Sequence, residues 1–209
     1  DFPPCMVVGI GYPDSSFPEW VRRRTKDFTP NEDEGDRARA AAAGRETPPD
    51  RAGGAEAFLG FLREEVVPLA ESHGASPEQR TLLGHSLGGL FALYAMFQGS
   101  GLFSKFIIGS PSIWWGGAAI RRIEDEFLAT KQPLDARVFL GVGGQEEASG
   151  APELDSARMV SNTFLLASRL MGPAYPGVTA ELQLFPGEGH GSMMAPFITR
   201  GLRALLVQA

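Results

Sequence analysis

The sequence predicts an α/β fold, a mostly parallel sheet with helices on both faces. Three observations predict it. Short apolar runs of strand length alternate along the chain with longer segments of helical periodicity. One strand-to-helix junction, inside "TLLGHSLGGLFALYAMF" (Thr81 to Phe97), leaves only a couple of residues for the turn. The chain has 209 residues, 43% hydrophobic and 21% charged, enough for one α/β domain with a substantial core.

The elements follow in order. "CMVVGI", Cys5 to Ile10, reads as a strand that turns away at Gly11-Tyr12-Pro13. Phe17 to Pro30, "FPEWVRRRTKDFTP", reads as a loop of aromatic and basic residues. Residues 31–55 are of low complexity, with acids, arginines, an Ala run and Pro/Gly, and are expected to be a mobile excursion: a solvated loop or a lid over a site. Ala55 to Gly74 is an amphipathic helix, with Phe58, Phe61, Leu62, Val66 and Leu69 at helical spacing. "RTLLG" is a buried strand, and the run after it is a helix ending near Gly99-Ser100-Gly101. Strands are then expected at Phe106 to Gly109, Arg137 to Val142 and Thr179 to Phe185, making five. Helices are expected at Ala118 to Leu128, Ser156 to Met171 and Ala195 to Val207. No internal repeat or second domain is visible, so residues 1–209 read as a single domain.

The short junction is the first functional signal. A turn that sharp needs a strained backbone, and Gly84 and Gly88 remove side chains that would clash there. Ser86 is left at the tip, before a helix N-terminus, in the G-x-S-x-G pattern Gly84-His85-Ser86-Leu87-Gly88 of a nucleophile elbow. An oxyanion formed there would face the Leu87 N–H, aided by the helix dipole.

A serine hydroxyl needs a neighbouring base, and histidine titrates in the useful range. The chain has three. His85 adjoins the nucleophile, but its side chain is expected to point away and pack under the turn. His73 falls at a helix end, where solvent is expected. His190 lies in a Gly-rich loop directly after the last strand, at the sheet edge where sites of open α/β sheets gather, and it is the expected base. The orienting acid should follow the strand that ends at Val142. Glu146, Glu147, Glu153 and Asp155 are candidates, with Glu146 following the strand end most closely once the Gly143-Gly144 turn is allowed for. Glu188 is expected to stabilise its own loop.

Charge and composition exclude other classes. The net charge is −6, with no Lys/Arg cluster beyond Arg22-Arg23-Arg24, which argues against nucleic acid. No apolar run approaches the roughly 20 residues needed to span a bilayer, so a soluble protein is expected, cytoplasmic or periplasmic. The single cysteine, Cys5, forms no internal disulfide and is expected to be buried in its strand.

Four stretches together, "GHSLGGLFALYAMF", "GSPSIWWG", "RRRTKDFTP" and "FPGEGHGS", resemble the putative-esterase group of α/β hydrolases. That group includes enterobactin-type siderophore esterases and relatives of S-formylglutathione hydrolase, and the likeness is to its siderophore-esterase-like branch. It spans nearly the whole chain. It implies an α/β-hydrolase fold and a serine hydrolase with Ser86 as nucleophile, His190 as base and Glu146 at the family's glutamate position. Some members work with a Ser-His pair and little help from an acid. No metal or organic cofactor is implied.

Members of the group have upstream strands, one of them ending in an Asp-Gly segment near the oxyanion hole. "CMVVGIGYP" resembles the strand after that one, and the chain starts with neither a signal peptide nor a methionine. A further polypeptide is therefore expected to cover the first strand: an N-terminal segment, a nicked fragment or a neighbouring chain. It would carry the second oxyanion donor; otherwise an amide near Tyr12 would serve. For the substrate, Trp114 and Trp115 could wall an aromatic acyl group, and Arg24 could meet an anionic one. The expected function is a serine carboxylesterase acting on an ester or lactone, including a siderophore ester. The alternative is a non-catalytic binding module of the same fold.

Overall fold

The computed structural model describes residues 2–13, 16–42, 44, 51–147, 150 and 155–207. Its four strands form one sheet in the order β1-β2-β3-β4: β1 Thr81–His85, β2 Lys105–Gly109, β3 Ala136–Gly143 and β4 Val178–Phe185. All three pairings are parallel, so every strand points its C-terminal end at the same edge. The expected parallel sheet is present with four strands in place of five.

The helices are α1 Phe17–Phe28, α2 Glu34–Ala42, α3 Ala55–Phe61, α4 Val67–Ser72, α5 Leu87–Gln98, α6 Trp115–Thr130, α7 Met159–Leu170 and α8 Met194–Leu206. One face of the sheet is covered by α5 and α7, whose Leu90, Leu93, Leu166 and Leu170 bury Phe106, Ile108, Val138 and Leu140. On the other face, Phe197 and Leu205 of α8 cover Ile107 and Phe139. Helix α8 sits close because three strand or helix positions lack a Cβ. A Cβ on Gly109 or Gly141 would come within 2.6 Å of the Phe197 ring, and one on Gly201 within 2.5 Å of Ile107.

The amphipathic stretch from Ala55 is not one regular helix. A π-helical turn, Leu62–Val66, separates α3 from α4, and the Val67 N–H donates to the Leu62 carbonyl five residues back. Pro68 follows at the start of α4. A proline lacks the N–H an α-turn needs and clashes with the carbonyl four residues earlier, so the wider turn accommodates it.

Three expectations are corrected. Residues 2–12 form no strand, and Met6, Val7, Val8 and Ile10 are exposed, Val7 at 88%. β-propensity needs a ladder partner and a face to bury, and this segment pairs with no described strand. Cys5 is therefore exposed, not buried. Phe17 to Phe28 is a helix, not a loop. Pro18 stands in its first turn, Glu19 lies near its N-terminus and pairs with Arg22 and Arg23, and Thr25 is buried. The arginine run masked this periodicity, because Arg24 lies on the inner side of the helix with its guanidinium against the Trp20 and Phe28 rings. Within the expected excursion, 34–42 are helical, and both flanks are tied down. Trp115 Nε1 donates to the Asn31 carbonyl at 2.9 Å, the Gly116 N–H to Asp33 at 2.9 Å, and the Gly54 N–H to the Lys26 carbonyl at 2.9 Å. Residues 43 and 45–50 lie outside the described residues.

The glycines at the β1–α5 junction are not equivalent. A Cβ on Gly84 would sit 2.0 Å from the Gly88 carbonyl oxygen, and one on Gly89 would sit 2.8 Å from the Gly109 oxygen. A Cβ on Gly88 would meet only the Phe28 ring, at 3.8 Å. The clash-relieving pair is thus Gly84 and Gly89. Gly84→Ala is expected to destabilise the protein by about 3 kcal/mol or more, lowering Tm by roughly 6–12 °C. Gly88→Ala, inside a helix, should leave Tm unchanged or raise it slightly. Equal losses for the two variants in thermal unfolding would contradict this account of the turn.

Candidate active site

Ser86 is the N-cap of α5, with φ 62° and ψ −121°, a backbone conformation that residues other than glycine rarely adopt. Neighbouring backbone holds it there. Its N–H donates to the Gly109 carbonyl at 2.9 Å, and its carbonyl accepts from Leu90 at 3.0 Å and from Ser112 at 3.2 Å. The end of β2 and the loop after it therefore grip the tip of the β1–α5 turn. The Leu87 N–H follows at the first position of α5, where backbone donors lack intrahelical partners.

His190 stands in the loop after β4, between Phe185 and α8. Its Nδ1 lies 2.5 Å from Glu146 Oε2. Glu146 follows β3 by three residues, and its side chain is only 2% exposed. Its other oxygen, Oε1, accepts from the Gly143 N–H at 2.7 Å and the Ser110 hydroxyl at 2.6 Å. Two further backbone bonds lock the β3 loop to the His190 loop, Gly144 N–H to Phe185 O and Gln145 N–H to Glu188 O, both 2.9 Å. Burial pushes the Glu146 carboxyl up, but the hydrogen bonds from His190, Ser110 and Gly143 outweigh it and hold the group below its ordinary value.

The remaining acid candidates lie elsewhere. Both Glu147 oxygens accept from Ser161, one from its N–H and one from its hydroxyl, each at 2.6 Å, so this carboxylate caps the start of α7. Asp155 precedes α7, and its carbonyl accepts from the Arg158 N–H. Glu188 contributes its backbone carbonyl to the loop contact above. Glu153 lies outside the described residues. His73 caps the end of α4 and is exposed, as expected.

His85 departs from its expected place. Its ring packs against that of His190, with centroids 4.5 Å apart. Burial lowers its pKa to about 4. The nearby His190 and Arg24 charges push the same way, while Glu146 and a hydrogen bond to the His190 backbone oppose them. The simple alternation of side chains along β1 places residue 85 opposite residue 86, but the turn ends the alternation there.

Arg24, on α1, donates to the His85 carbonyl at 3.2 Å. Its guanidinium lies 5.6 Å from the Trp20 ring centre and 5.4 Å from that of Phe28. Burial lowers its pKa. The two tryptophans differ. Trp115 is 3% exposed in the core, and its Nε1–H is bonded to Asn31, so little of its ring can meet a ligand. Trp114 is half-buried beside it, with ring centres 5.8 Å apart. Among the described residues, no group of three or more His, Cys, Asp or Glu could hold a metal ion, and no helix is long and apolar enough to cross a membrane.

A family model described as Putative esterase matches residues 19–175. The chain belongs to this family. Among its relatives, it is 33% identical over 208 residues to Ferri-bacillibactin esterase BesA of Bacillus subtilis (strain 168), covering 97% of this chain and 68% of that protein. It is 31% identical to Siderophore triacetylfusarinine C esterase of Aspergillus fumigatus, covering 94% of this chain and 69% of the other. Its fold is similar to that of the siderophore hydrolase EstA from Aspergillus nidulans, with a TM-score of 0.76 at 28% identity over 92% of this chain and 68% of that one. The BES protein from Bacillus cereus gives a TM-score of 0.70 at 29% identity, over 88% and 63% respectively. This Putative esterase has the α/β-hydrolase fold and acts on ester bonds. The family match ends before His190, which the relatives' longer alignments span by extent of coverage.

The His85 environment gives a pH prediction. Its folded-state pKa lies below its unfolded value, so the unfolded chain binds the extra proton. The stability this group contributes is full above about pH 6.5 and is lost as pH falls toward 4. Urea unfolding of the wild type should show a falling midpoint between pH 7 and 5, and His85→Gln should flatten that slope. An unchanged slope in the variant would contradict a neutral, half-buried His85.

Proposed function

We propose that the esterase acts through an acyl-enzyme, with Ser86 as nucleophile, His190 as general base and acid, and Glu146 as the orienting carboxylate. The observation that carries this reading is the 2.5 Å contact between His190 Nδ1 and a buried Glu146, at the edge where the β1–α5 turn presents Ser86. A carboxylate on Nδ1 keeps the proton on that nitrogen and leaves Nε2 free to accept one. Ser86 Oγ attacks the ester carbonyl as its proton passes to His190 Nε2. The Leu87 N–H, at the positive end of α5, stabilises the oxyanion. The imidazolium, held by Glu146, returns the proton to the departing alkoxide. Water then attacks the acyl-enzyme as His190 takes its proton, and the imidazolium returns that proton to Ser86 Oγ as the carboxylic acid leaves.

The substrate proposed is a siderophore ester or lactone. Support comes from the names of the relatives, among them a ferri-bacillibactin esterase and a triacetylfusarinine C esterase. Arg24 fits an anionic ligand group near the elbow, since one N–H is used on the His85 carbonyl and the cation is only partly hydrated. Trp114 is the better placed of the tryptophan pair to touch an acyl group, being the more accessible.

A fluorophosphonate probe tests the mechanism and a substrate panel tests the ligand class. The wild-type protein should be labelled, and Ser86→Ala should be neither labelled nor active. His190→Ala should match Ser86→Ala in kcat, because residues that act as a unit lose activity non-additively. Glu146→Gln should cost less, about 10- to 10⁴-fold in kcat. Near wild-type turnover of p-nitrophenyl acetate by Ser86→Ala would defeat the assignment. On the panel, kcat/KM should be higher for ferric and iron-free siderophore lactones than for short p-nitrophenyl esters, and the reverse ranking would exclude this substrate class.

A further inference from the structure

Ser110 lies in the stretch "GSPSIWWG", immediately after β2, and the reaction steps above do not use it. Three features set it apart. It is completely buried. Its φ is +39°, in the region where glycine is the ordinary choice. Its hydroxyl donates to Glu146 Oε1 at 2.6 Å. The backbone has little freedom to relax, because the Ser110 N–H donates to the Gly141 carbonyl at 2.8 Å and Pro111 restricts the residue before it. The Met193 sulfur lies 3.3 Å from the same hydroxyl and completes the enclosure.

A glycine would relieve this backbone conformation and still make the Gly141 bond. What it would lack is the hydroxyl, and the hydroxyl meets the carboxylate that holds His190. Glu146 divides its oxygens, with Oε1 taken by Ser110 and Gly143 and Oε2 facing His190 Nδ1. One backbone donor on Oε1 defines a direction, and a second donor from another strand end fixes the carboxylate plane.

We propose that Ser110 is a positioning residue of the hydrolytic site, whose hydroxyl holds the Glu146 carboxylate so that Oε2 faces His190. Strain at residue 110 is retained because, among the described residues after β2, it is the Ser110 side chain that reaches Oε1. The inference rests on reading Glu146 as the orienting acid.

The test compares Ser110→Gly, Ser110→Ala, Glu146→Gln and the Ser110→Ala/Glu146→Gln double variant. Ser110→Gly and Ser110→Ala should each lower kcat by about 10- to 100-fold, the range for losing a hydrogen bond to a charged group, with KM nearly unchanged. Ser110→Gly should unfold at or above the Tm of Ser110→Ala, since it relieves the backbone. In the Glu146→Gln background, Ser110→Ala should change kcat by no more than about twofold, because both act through one carboxylate. Wild-type kcat in both Ser110 variants, or the same fold-loss with Glu146 already replaced, would overturn the proposal while leaving Glu146 as the acid. Wild-type kcat in Glu146→Gln would overturn the acid assignment, and the role of Ser110 would fall with it.

Discussion

The backbone of β1 touches the backbone of α5, and the rest of the site depends on that contact. A Cβ at Gly84 has no room, because the Gly88 carbonyl oxygen would stand 2.0 Å away. Only with the strand and helix this close does the chain reverse within a single residue, and that residue is Ser86 at φ 62°. The same proximity puts the Leu87 N–H at the open end of α5. The contact is supported from below, where Gly89 lies against the Gly109 carbonyl and Pro111, and from the side by the hydrogen bond between the Ser86 N–H and the Gly109 carbonyl. Bulk at these positions would separate strand from helix and move the serine.

The parallel sheet supplies the second condition. Because all four strands run the same way, the residues just past β1, β2, β3 and β4 gather at one edge, although they are far apart in sequence. Ser86, Ser110, Glu146 and His190 each follow a different strand. Helix α8 braces this arrangement from one face, with Phe197 seated over Gly109 and Gly141. The electrostatics follow from the packing. A buried carboxylate is kept ionised by three hydrogen-bond donors, and the adjacent half-buried histidine is kept neutral by desolvation and by nearby positive charge.

Much of this was legible in the sequence, and the parts that were not share a cause. The elbow was legible because it is local: glycines, a serine, a strand before and a helix after. That His190 and Glu146 would lie near each other was legible because strand ends of a parallel sheet meet at one edge. The contacts of Ser110, Gly89 and His85 were not, because each joins elements distant in sequence. A Cβ at Gly89 would meet Gly109 and Pro111, and the His85 ring packs on that of His190. The "CMVVGI" segment shows the reverse error. Its residues have strong strand preferences, but a strand needs a partner edge, and composition cannot show whether one is available. Helix α1 was hidden because its face is formed by an arginine stem, a threonine and an aromatic residue, not by a run of aliphatics.

The central claim is that Ser86 carries the acyl group during turnover. Rapid acid quenching of the protein with p-nitrophenyl acetate, followed by peptide mass spectrometry, tests it most directly. The account predicts one added acyl group, on the peptide containing Ser86, accumulating before steady state. Turnover with the acyl group on a different residue, and none on Ser86, would contradict it.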